Sequence, residues 1–177
     1  MSDTPLRLER LNDVGYLNLR GSATDRAFKD AVRRAVGVKV PEVANTVEGE
    51  SARMFWLGPD EWLLTATCQE IDAFAASLSD ALGDQHAAIN NLSGGLLTYR
   101  LSGSDMRQLL AKGCTLDLHA DKFRPGCCAQ TGLAKATVLL SAPASDDCIE
   151  IVVRRSFSDY LWHWLLHAGR NYGIEVA

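Results

Sequence analysis

Two histidines one helical turn apart are the first feature of the sequence that could carry chemistry. His163 and His167 lie four residues apart in a stretch of helical periodicity, and this spacing lets two imidazoles bind one metal ion. Zinc peptidases with this spacing need a glutamate directly after the first histidine as general base. Trp164 stands at that position. The pattern therefore excludes a peptidase of that kind, and we predict no metal site on this chain.

Two pairs of neighbouring polar residues are candidates for acid–base chemistry. Asp117 and His119 would share one face of an extended segment, but we favour a salt bridge within a loop. Asp60 and Glu61 are adjacent in a predicted turn, where carboxylates are usually solvated. We interpret Leu92–Gly95 as a turn before a strand, since the sequence contains no phosphate-binding loop or nucleophile elbow. We predict no catalytic residue and no cofactor-binding residue on this chain.

The cysteines and the charge balance indicate the compartment and exclude several kinds of partner. Five cysteines without a C-x-x-C pair fit free thiols, buried or half-buried, in a reducing compartment. Cys127 and Cys128 are adjacent, which suits a tetrahedral metal poorly, and a redox role for them stays open.

A net charge of -4 argues against nucleic acid as a partner. No apolar run reaches the roughly 20 residues of a membrane span, and the amino-terminal residues lack a signal-peptide core. We predict a cytoplasmic protein.

The carboxyl-terminal fifth predicts an apolar strand followed by a helix with more apolar surface than one face requires. One helical stripe would pack on the sheet, and it contains Phe157, Tyr160, Leu161, Trp164, Leu165 and Ala168. Trp162 and Leu166 lie outside this stripe. They form either a broader core contact or a surface for another protein chain. We take Trp162 and Leu166 as partner contacts, with Arg154 and Arg155 as their charged or hydrogen-bonding neighbours.

An internal repeat underlies the predicted organisation of the chain. Residues Gly15–Asp25 align with Gly95–Asp105 at a constant offset, with identity at the glycine, at Arg20 and Arg100, and in a shared Ser-x-x-Asp motif. In that motif the serine hydroxyl is expected to cap a helix and the aspartate to lie in the first turn. Glycines end the two helices that follow.

Each half then continues with the same order of elements, β-α-β-β-α. The predicted segments are a first helix ending at Gly37, strands Met54–Leu57 and Glu61–Thr67, helices Gln69–Leu82 and Ser104–Lys112, strand residues Ala129–Ser141, a turn at Pro143–Asp147 and strand Cys148–Arg154. Antiparallel strands with packed helices make the fold class α+β. We expect a single domain, residues 1–177, with pseudo-symmetric halves at about 8–85 and 86–175.

Several strings, in order along nearly the whole chain, resemble the gamma subunits of heterotetrameric sarcosine oxidases. They are Trp56–Leu63, Leu92–Gly95, Leu101–Asp105, Leu110–His119, Phe123–Thr131 and Val153–Trp162. The resemblance implies a fold like the tetrahydrofolate-binding domain of aminomethyltransferases, which agrees with the repeat found from the residues. Ser104, where relatives often have proline, is a mild departure.

The resemblance also implies a reaction and partners. The complex oxidises the N-methyl group of sarcosine, yields glycine and hydrogen peroxide, and passes the one-carbon unit to tetrahydrofolate. The alpha, beta and delta subunits would be the partners, and they would hold FAD, FMN, NAD, zinc and tetrahydrofolate. The gamma subunit would be a non-catalytic component that supports assembly.

Two other functions stay open at this point. The first is an independent tetrahydrofolate-binding protein, because Pro125–Gln130 faintly resembles the Lys-Gly-Cys-Tyr-x-Gly-Gln motif of folate-binding iron–sulfur repair proteins. Pro125 replaces the lysine and Cys128 the tyrosine, and the glutamine comes one place early. The second is a free-standing homo-oligomer without an enzymatic link. Binding of reduced folate by the isolated chain would distinguish the first function, and stable self-association would distinguish the second.

Overall fold

The computed structural model describes residues 4–143 and 147–177. The chain forms two compact units. The terminal unit contains the chain up to Asn12 together with Gly95–Ala177, and the inserted unit is Asp13–Gly94. The predicted turn at Pro143–Asp147 falls largely on residues 144–146, which lie outside the described residues.

The elements alternate as the repeat predicts, with additional short strands. In chain order they are β1 (Arg7–Leu11), β2 (Gly15–Arg20), α1 (Arg26–Val36), β3 (Val47–Glu48), β4 (Arg53–Gly58), β5 (Glu61–Ala66), α2 (Cys68–Leu82), β6 (Ala88–Asn91), β7 (Leu96–Ser102), α3 (Met106–Ala111), β8 (Cys128–Leu133), β9 (Ala136–Ser141), β10 (Cys148–Arg154), α4 (Ser158–Gly169) and β11 (Glu175–Val176). The fold is α+β, as predicted.

The inserted unit is a sheet of order β3-β4-β5-β2-β6 with antiparallel pairs. Alternate residues such as Leu17, Leu19 and Leu64 point into one core, because side chains alternate across a strand. Helices α1 and α2 pack on it through Phe28 and Ile71, among others. The inserted unit is therefore a sheet with two helices packed on its core side.

The terminal unit repeats this layer with the order β11-β1-β7-β10-β9-β8. Every pair is antiparallel except β1 with β11. Its core contains alternate residues of β7 and β10, such as Tyr99, Leu101 and Ile151, with Leu109 of α3 and Leu165 of α4. The first strand of the chain therefore completes the sheet of the second repeat.

The side chain that caps helix α1 is not the predicted one. The Asp25 carboxylate, not the Ser22 hydroxyl, accepts a hydrogen bond from the Ala27 N–H at 2.8 Å and caps α1. Asp105 precedes α3 without a side-chain cap. The Ser-x-x-Asp prediction was therefore wrong about the serine, because the helices begin after the aspartate. Gly37 ends α1 in the left-handed conformation (φ 73°) as predicted.

Residues 129–141, predicted as strand without an internal turn, form the hairpin β8–β9. The connection is Ala134–Lys135, and Leu133 pairs with Ala136. Ala134 adopts φ 54°, a conformation that costs an L-residue with a Cβ about 1–2 kcal/mol. No glycine or asparagine marks this turn, so the sequence carries no turn signal there.

The strain at Ala134 leads to a stability prediction. Ala134→Gly removes the steric cost of the left-handed conformation, and part of the gain is offset by the larger backbone entropy of glycine in the unfolded chain. We expect a net gain of about 0.5–1 kcal/mol, which raises the Tm by roughly 1–4 °C. Thermal unfolding followed by circular dichroism tests this, and an unchanged or lower Tm would contradict it.

No helix among the described residues is long and apolar enough to cross a membrane.

Candidate partner interface

The face of α4 that packs on the core of the terminal unit has a small residue at each end of the helix. Ser158, Leu161, Leu165 and Gly169 are its buried residues. A Cβ on Gly169 would lie 2.8 Å from the Ile174 side chain, so the glycine permits close packing there. This face is rotated relative to the predicted stripe.

Trp162 and Leu166 are half-buried and pack against the core of the terminal unit. The Trp162 ring lies 5.2 Å from the ring of Tyr99, centroid to centroid. The Tyr99 hydroxyl donates a hydrogen bond to the Ser158 carbonyl at 3.1 Å, and burial raises the pKa of Tyr99. Both predicted contact residues therefore have a structural role, and a partner contact would use only their remaining exposed surface.

Phe157 and Tyr160, predicted within the packing stripe, are instead exposed, at 41% and 38%. The prediction was wrong for these two residues because the small residues of α4 define the buried face. The Tyr160 hydroxyl accepts a hydrogen bond from the Lys135 N–H at 3.3 Å. Trp164, from the same predicted stripe, is half-buried over Gly113, where an added Cβ would lie 2.5 Å from its ring.

Arg154 and Arg155 are both exposed at the corner between β10 and α4. Arg154 ends β10, and Arg155 begins a short 3-10 helix, Arg155–Phe157, that leads into α4. The Arg155 N–H donates to the Gly95 carbonyl at 2.9 Å. On α4, Tyr160 and Trp162 point about 160° apart around the helix axis, so the exposed aromatic side chains and the Trp162–Leu166 pair lie on different sides of the helix.

The residues considered for acid–base chemistry form hydrogen bonds and ion pairs with neighbouring groups. The Asp117 carboxylate accepts a hydrogen bond from the His119 N–H at 3.0 Å, and His119 Nδ1 lies 3.5 Å from Asp121, with both side chains exposed. Asp117 thus bonds the backbone of His119 and not its ring, which corrects the expected salt bridge, and His119 Nδ1 accepts a hydrogen bond from the Asp121 N–H at 3.3 Å. Asp60 bonds Arg20 at 3.0 Å, and Glu61 accepts from Asn18 at 2.8 Å.

The described part of the chain contains no group of three or more His, Cys, Asp or Glu side chains placed to hold a metal ion. His163 and His167 are exposed on α4. Leu92–Gly95 forms a turn before β7, as interpreted from the sequence.

The cysteines are free thiols. Cys128 and Cys148 are buried, and Cys114 and Cys127 are half-buried. Cys68, at the start of α2, is exposed, which corrects the expectation that all five would be at least half-buried. Partial desolvation, together with a hydrogen bond and the negative charge of Asp13, raises the pKa of the Cys68 thiol. A raised pKa makes the thiol a poor nucleophile at neutral pH.

The two repeated arginines each form an ion pair, but with different partners and in very different surroundings. Arg20 bonds Asp60 at 3.0 Å on the surface, whereas Arg100 bonds Glu150 at 2.9 Å, and Glu150 is 1% exposed. Burial alone would lower the pKa of Arg100, but the hydrogen bond and charge of Glu150 raise it overall. The sequence signal for this pair is the lone glutamate within the apolar strand β10, which the expectations above left out.

An arginine on α3 holds the long loop before β8. Arg107 donates to the carbonyls of Leu118 and Phe123 at 2.6 and 3.1 Å, and both of these loop residues are buried. Residues 125–130, which resemble part of a folate-binding motif, turn at Gly126 (φ 83°) and continue into β8. The loop is thus anchored on the terminal unit.

A surface groove of about 510 Å³ in the inserted unit is lined mostly by charged side chains of both signs. Arg26 pairs with Asp30 along helix α1 at 3.6 Å, and Lys29 pairs with Glu42 at 3.0 Å. These pairs balance much of the charge in the groove, which does not resemble a site for a strongly charged ligand.

Comparison with known proteins decides the family. The family model of the sarcosine oxidase gamma subunit matches residues 20–171. The chain belongs to the sarcosine oxidase gamma subunit family. A sarcosine oxidase subunit gamma from Corynebacterium sp. (strain P-1) is 35% identical over 162 residues, covering 92% of this chain and 77% of the relative. This family assignment agrees with the resemblance found in the sequence.

Two solved structures show the same fold. The heterotetrameric sarcosine oxidase from Corynebacterium sp. U-96, in complex with pyrrole 2-carboxylate, contains a chain that matches with a TM-score of 0.89 and 30% identity, over 100% of this chain and 90% of that one. The glycine cleavage system aminomethyltransferase T from Bartonella henselae matches with a TM-score of 0.68 and 12% identity, over 99% of this chain and 48% of that protein. The second match shows the fold alone, and it confirms the predicted likeness to aminomethyltransferases.

Proposed function

We propose that this chain is the gamma subunit of a heterotetrameric sarcosine oxidase and that its role is assembly rather than catalysis. The similarity to a chain of the Corynebacterium heterotetramer over the full length of the protein carries the proposal. A backbone that follows its counterpart over the full length of this chain, at a TM-score of 0.89, supports the same place in a similar complex.

The surroundings of the polar side chains support a non-catalytic role. His119, Asp60 and Glu61 have partners that hold them in loop or turn contacts. Catalytic acids and bases instead lie in clefts that shift their pKa values toward the working pH. These three side chains therefore support a structural role for this part of the surface.

The reaction of the proposed complex takes place on the other subunits. In it, sarcosine loses its N-methyl group by oxidation, giving glycine and hydrogen peroxide, and the one-carbon unit passes to tetrahydrofolate. The alpha, beta and delta subunits hold FAD, FMN, NAD, zinc and tetrahydrofolate, and the complex works in the cytoplasm. The gamma chain itself binds none of these groups.

Trp162 and Leu166, with Arg154 and Arg155, remain our proposed partner contacts. Since Trp162 and Leu166 also pack against the core, replacing both by serine would lower stability as well as assembly. The two arginines, which are exposed, can be changed without that complication and are the better test.

The test is to express the tagged chain in its native host, purify it gently, and record its native mass and visible absorption spectrum. We expect a complex several times heavier than 19.3 kDa, with flavin absorbance. The matched control is the same purification in a strain that lacks the other subunits, which should give a colourless chain. A colourless monomer or homo-oligomer from the native host would contradict the proposal, and folate titration of the isolated chain would then be the next experiment.

A further inference from the structure

Exposed aromatic and basic side chains occur together where β10 passes into α4. Phe157 and Tyr160 are exposed at 41% and 38%, and Arg154 and Arg155 are exposed immediately before them. We call these four residues the basic aromatic corner. Large aromatic side chains are costly to leave in water, and their clustering with arginine is typical of protein interfaces.

Backbone contacts hold the corner in one conformation. The Arg155 N–H bonds the Gly95 carbonyl at 2.9 Å, and the Ser158 hydroxyl donates to the Arg155 carbonyl at 2.8 Å. The Tyr160 hydroxyl accepts from the Lys135 N–H at 3.3 Å. A backbone that is already ordered loses little conformational entropy on binding, so only the arginine and phenylalanine side chains would have to be ordered by a partner.

The charge of the basic aromatic corner indicates which kind of partner surface would bind there. Neither Arg154 nor Arg155 forms an ion pair with any residue in the described ranges. Against these two positive charges, Asp159 adds one negative charge beside Ser158, whose hydroxyl lies 3.4 Å from it. A locally positive surface on a chain of net charge -4 favours an acidic partner.

We propose that the basic aromatic corner docks an acidic segment with apolar side chains on another subunit of the oxidase. This inference rests on the proposed function. The aromatic rings would fill apolar pockets of the partner, while carboxylates would pair with the two guanidinium groups. A second copy of this chain is the less suitable occupant, because a two-fold contact through this corner would bring like charges together.

The experiment uses the intact complex, with charge reversal at the corner and a matched reversal elsewhere. The test variant is R154E/R155E. The control is R33E/R34E, because Arg33 and Arg34 are also adjacent, exposed arginines, on α1 of the inserted unit. Native mass spectrometry of the purified complex, at increasing salt, measures how much gamma chain stays bound. Circular dichroism of each isolated chain checks folding.

We expect R154E/R155E to weaken retention of the gamma chain by at least about tenfold, while R33E/R34E stays close to wild type. In the wild type, salt should weaken retention because it screens the ion pairs. R154K/R155K, which keeps the charges, should retain most of the binding. Retention of R154E/R155E at the wild-type level and with wild-type salt dependence would overturn the inference.

The aromatic half of the corner has its own matched pair of variants. Phe157→Ser should weaken retention, and Val43→Ser should not, because Val43 is exposed at 67% but lies in the inserted unit, away from α4 in the sequence. If both variants stay bound to the complex equally well, Phe157 does not contribute to binding. If wild-type gamma chain brings down no other subunit, the proposed function fails, a result distinguishable from a wild-type complex that tolerates the corner variants.

Discussion

Arg100→Met should destabilise the protein by about 3 kcal/mol, whereas Arg20→Met should cost less than about 1 kcal/mol. The two arginines occupy equivalent places in the repeat, and each bonds a carboxylate. Arg100 faces Glu150, which is almost fully buried, so its removal leaves a charge inside the protein. We expect the lower end of the usual range, because the Arg100 side chain is 35% exposed and water reaches part of it.

A third variant separates the cost of a lost ion pair from the cost of lost packing. In R100M/E150L both charges are gone, and such apolar replacements of buried pairs are often neutral. We therefore expect it to recover most of the stability that R100M loses. Urea unfolding of the isolated chains gives the free energy of unfolding of each variant. Equal losses in R100M and R20M would show that burial of Glu150 does not control the energetics.

Gly103→Ala should cost about 3 kcal/mol or more, enough to lower the Tm by roughly 6–12 °C. Gly103 has φ 109°, and an added Cβ would lie 2.4 Å from the Pro5 carbonyl oxygen and 2.8 Å from the Leu6 Cα. Both contacts are with backbone, which cannot turn away as a side chain can. The segment would have to move, and with it Leu6 and Leu8, which are buried in the core of the terminal unit.

Gly37→Ala is the matched control for this variant. Gly37 also has a positive φ, 73°, but a Cβ there would meet nothing within 4 Å. We expect only the conformational cost, about 1 kcal/mol. Thermal unfolding compares the two, and limited proteolysis should show faster cleavage near the amino terminus in Gly103→Ala alone. Similar Tm losses in both variants would mean that the close approach to Pro5 does not matter.

Elements with strong local signals could be predicted from the sequence, and elements that depend on distant pairing could not. Helix α2 was predicted to within one residue at its start and α1 at its glycine end, Gly37; the capping box of Thr67 and Glu70 is a further local signal for α2. Strand β1 has few apolar residues and is ordered by pairing with β7, far along the chain. Such pairing leaves no local signal.

The same limit explains the error on α4. Apolar residues occur on several sides of this helix, so periodicity alone cannot say which side meets the sheet. Ser158 and Gly169 decide it, because small side chains let the helix come close to its neighbours. Trp162 then packs beside Tyr99, and Phe157 and Tyr160 remain outside. The position of Arg154 and Arg155 at the end of β10 was predicted correctly, because it depends only on where the strand ends; their role as partner contacts stays a prediction.

The parallel pair β1–β11 joins the first strand of the chain to the last, at one edge of the terminal sheet. During synthesis, the inserted unit has all its strands once Gly94 has emerged, whereas the terminal unit must wait for its final residues. We therefore expect the inserted unit to fold first during synthesis, and the β1–β11 edge of the terminal sheet to form last. The same pairing places Arg7 beside Glu175, so two segments far apart in the sequence together close one edge of the terminal sheet.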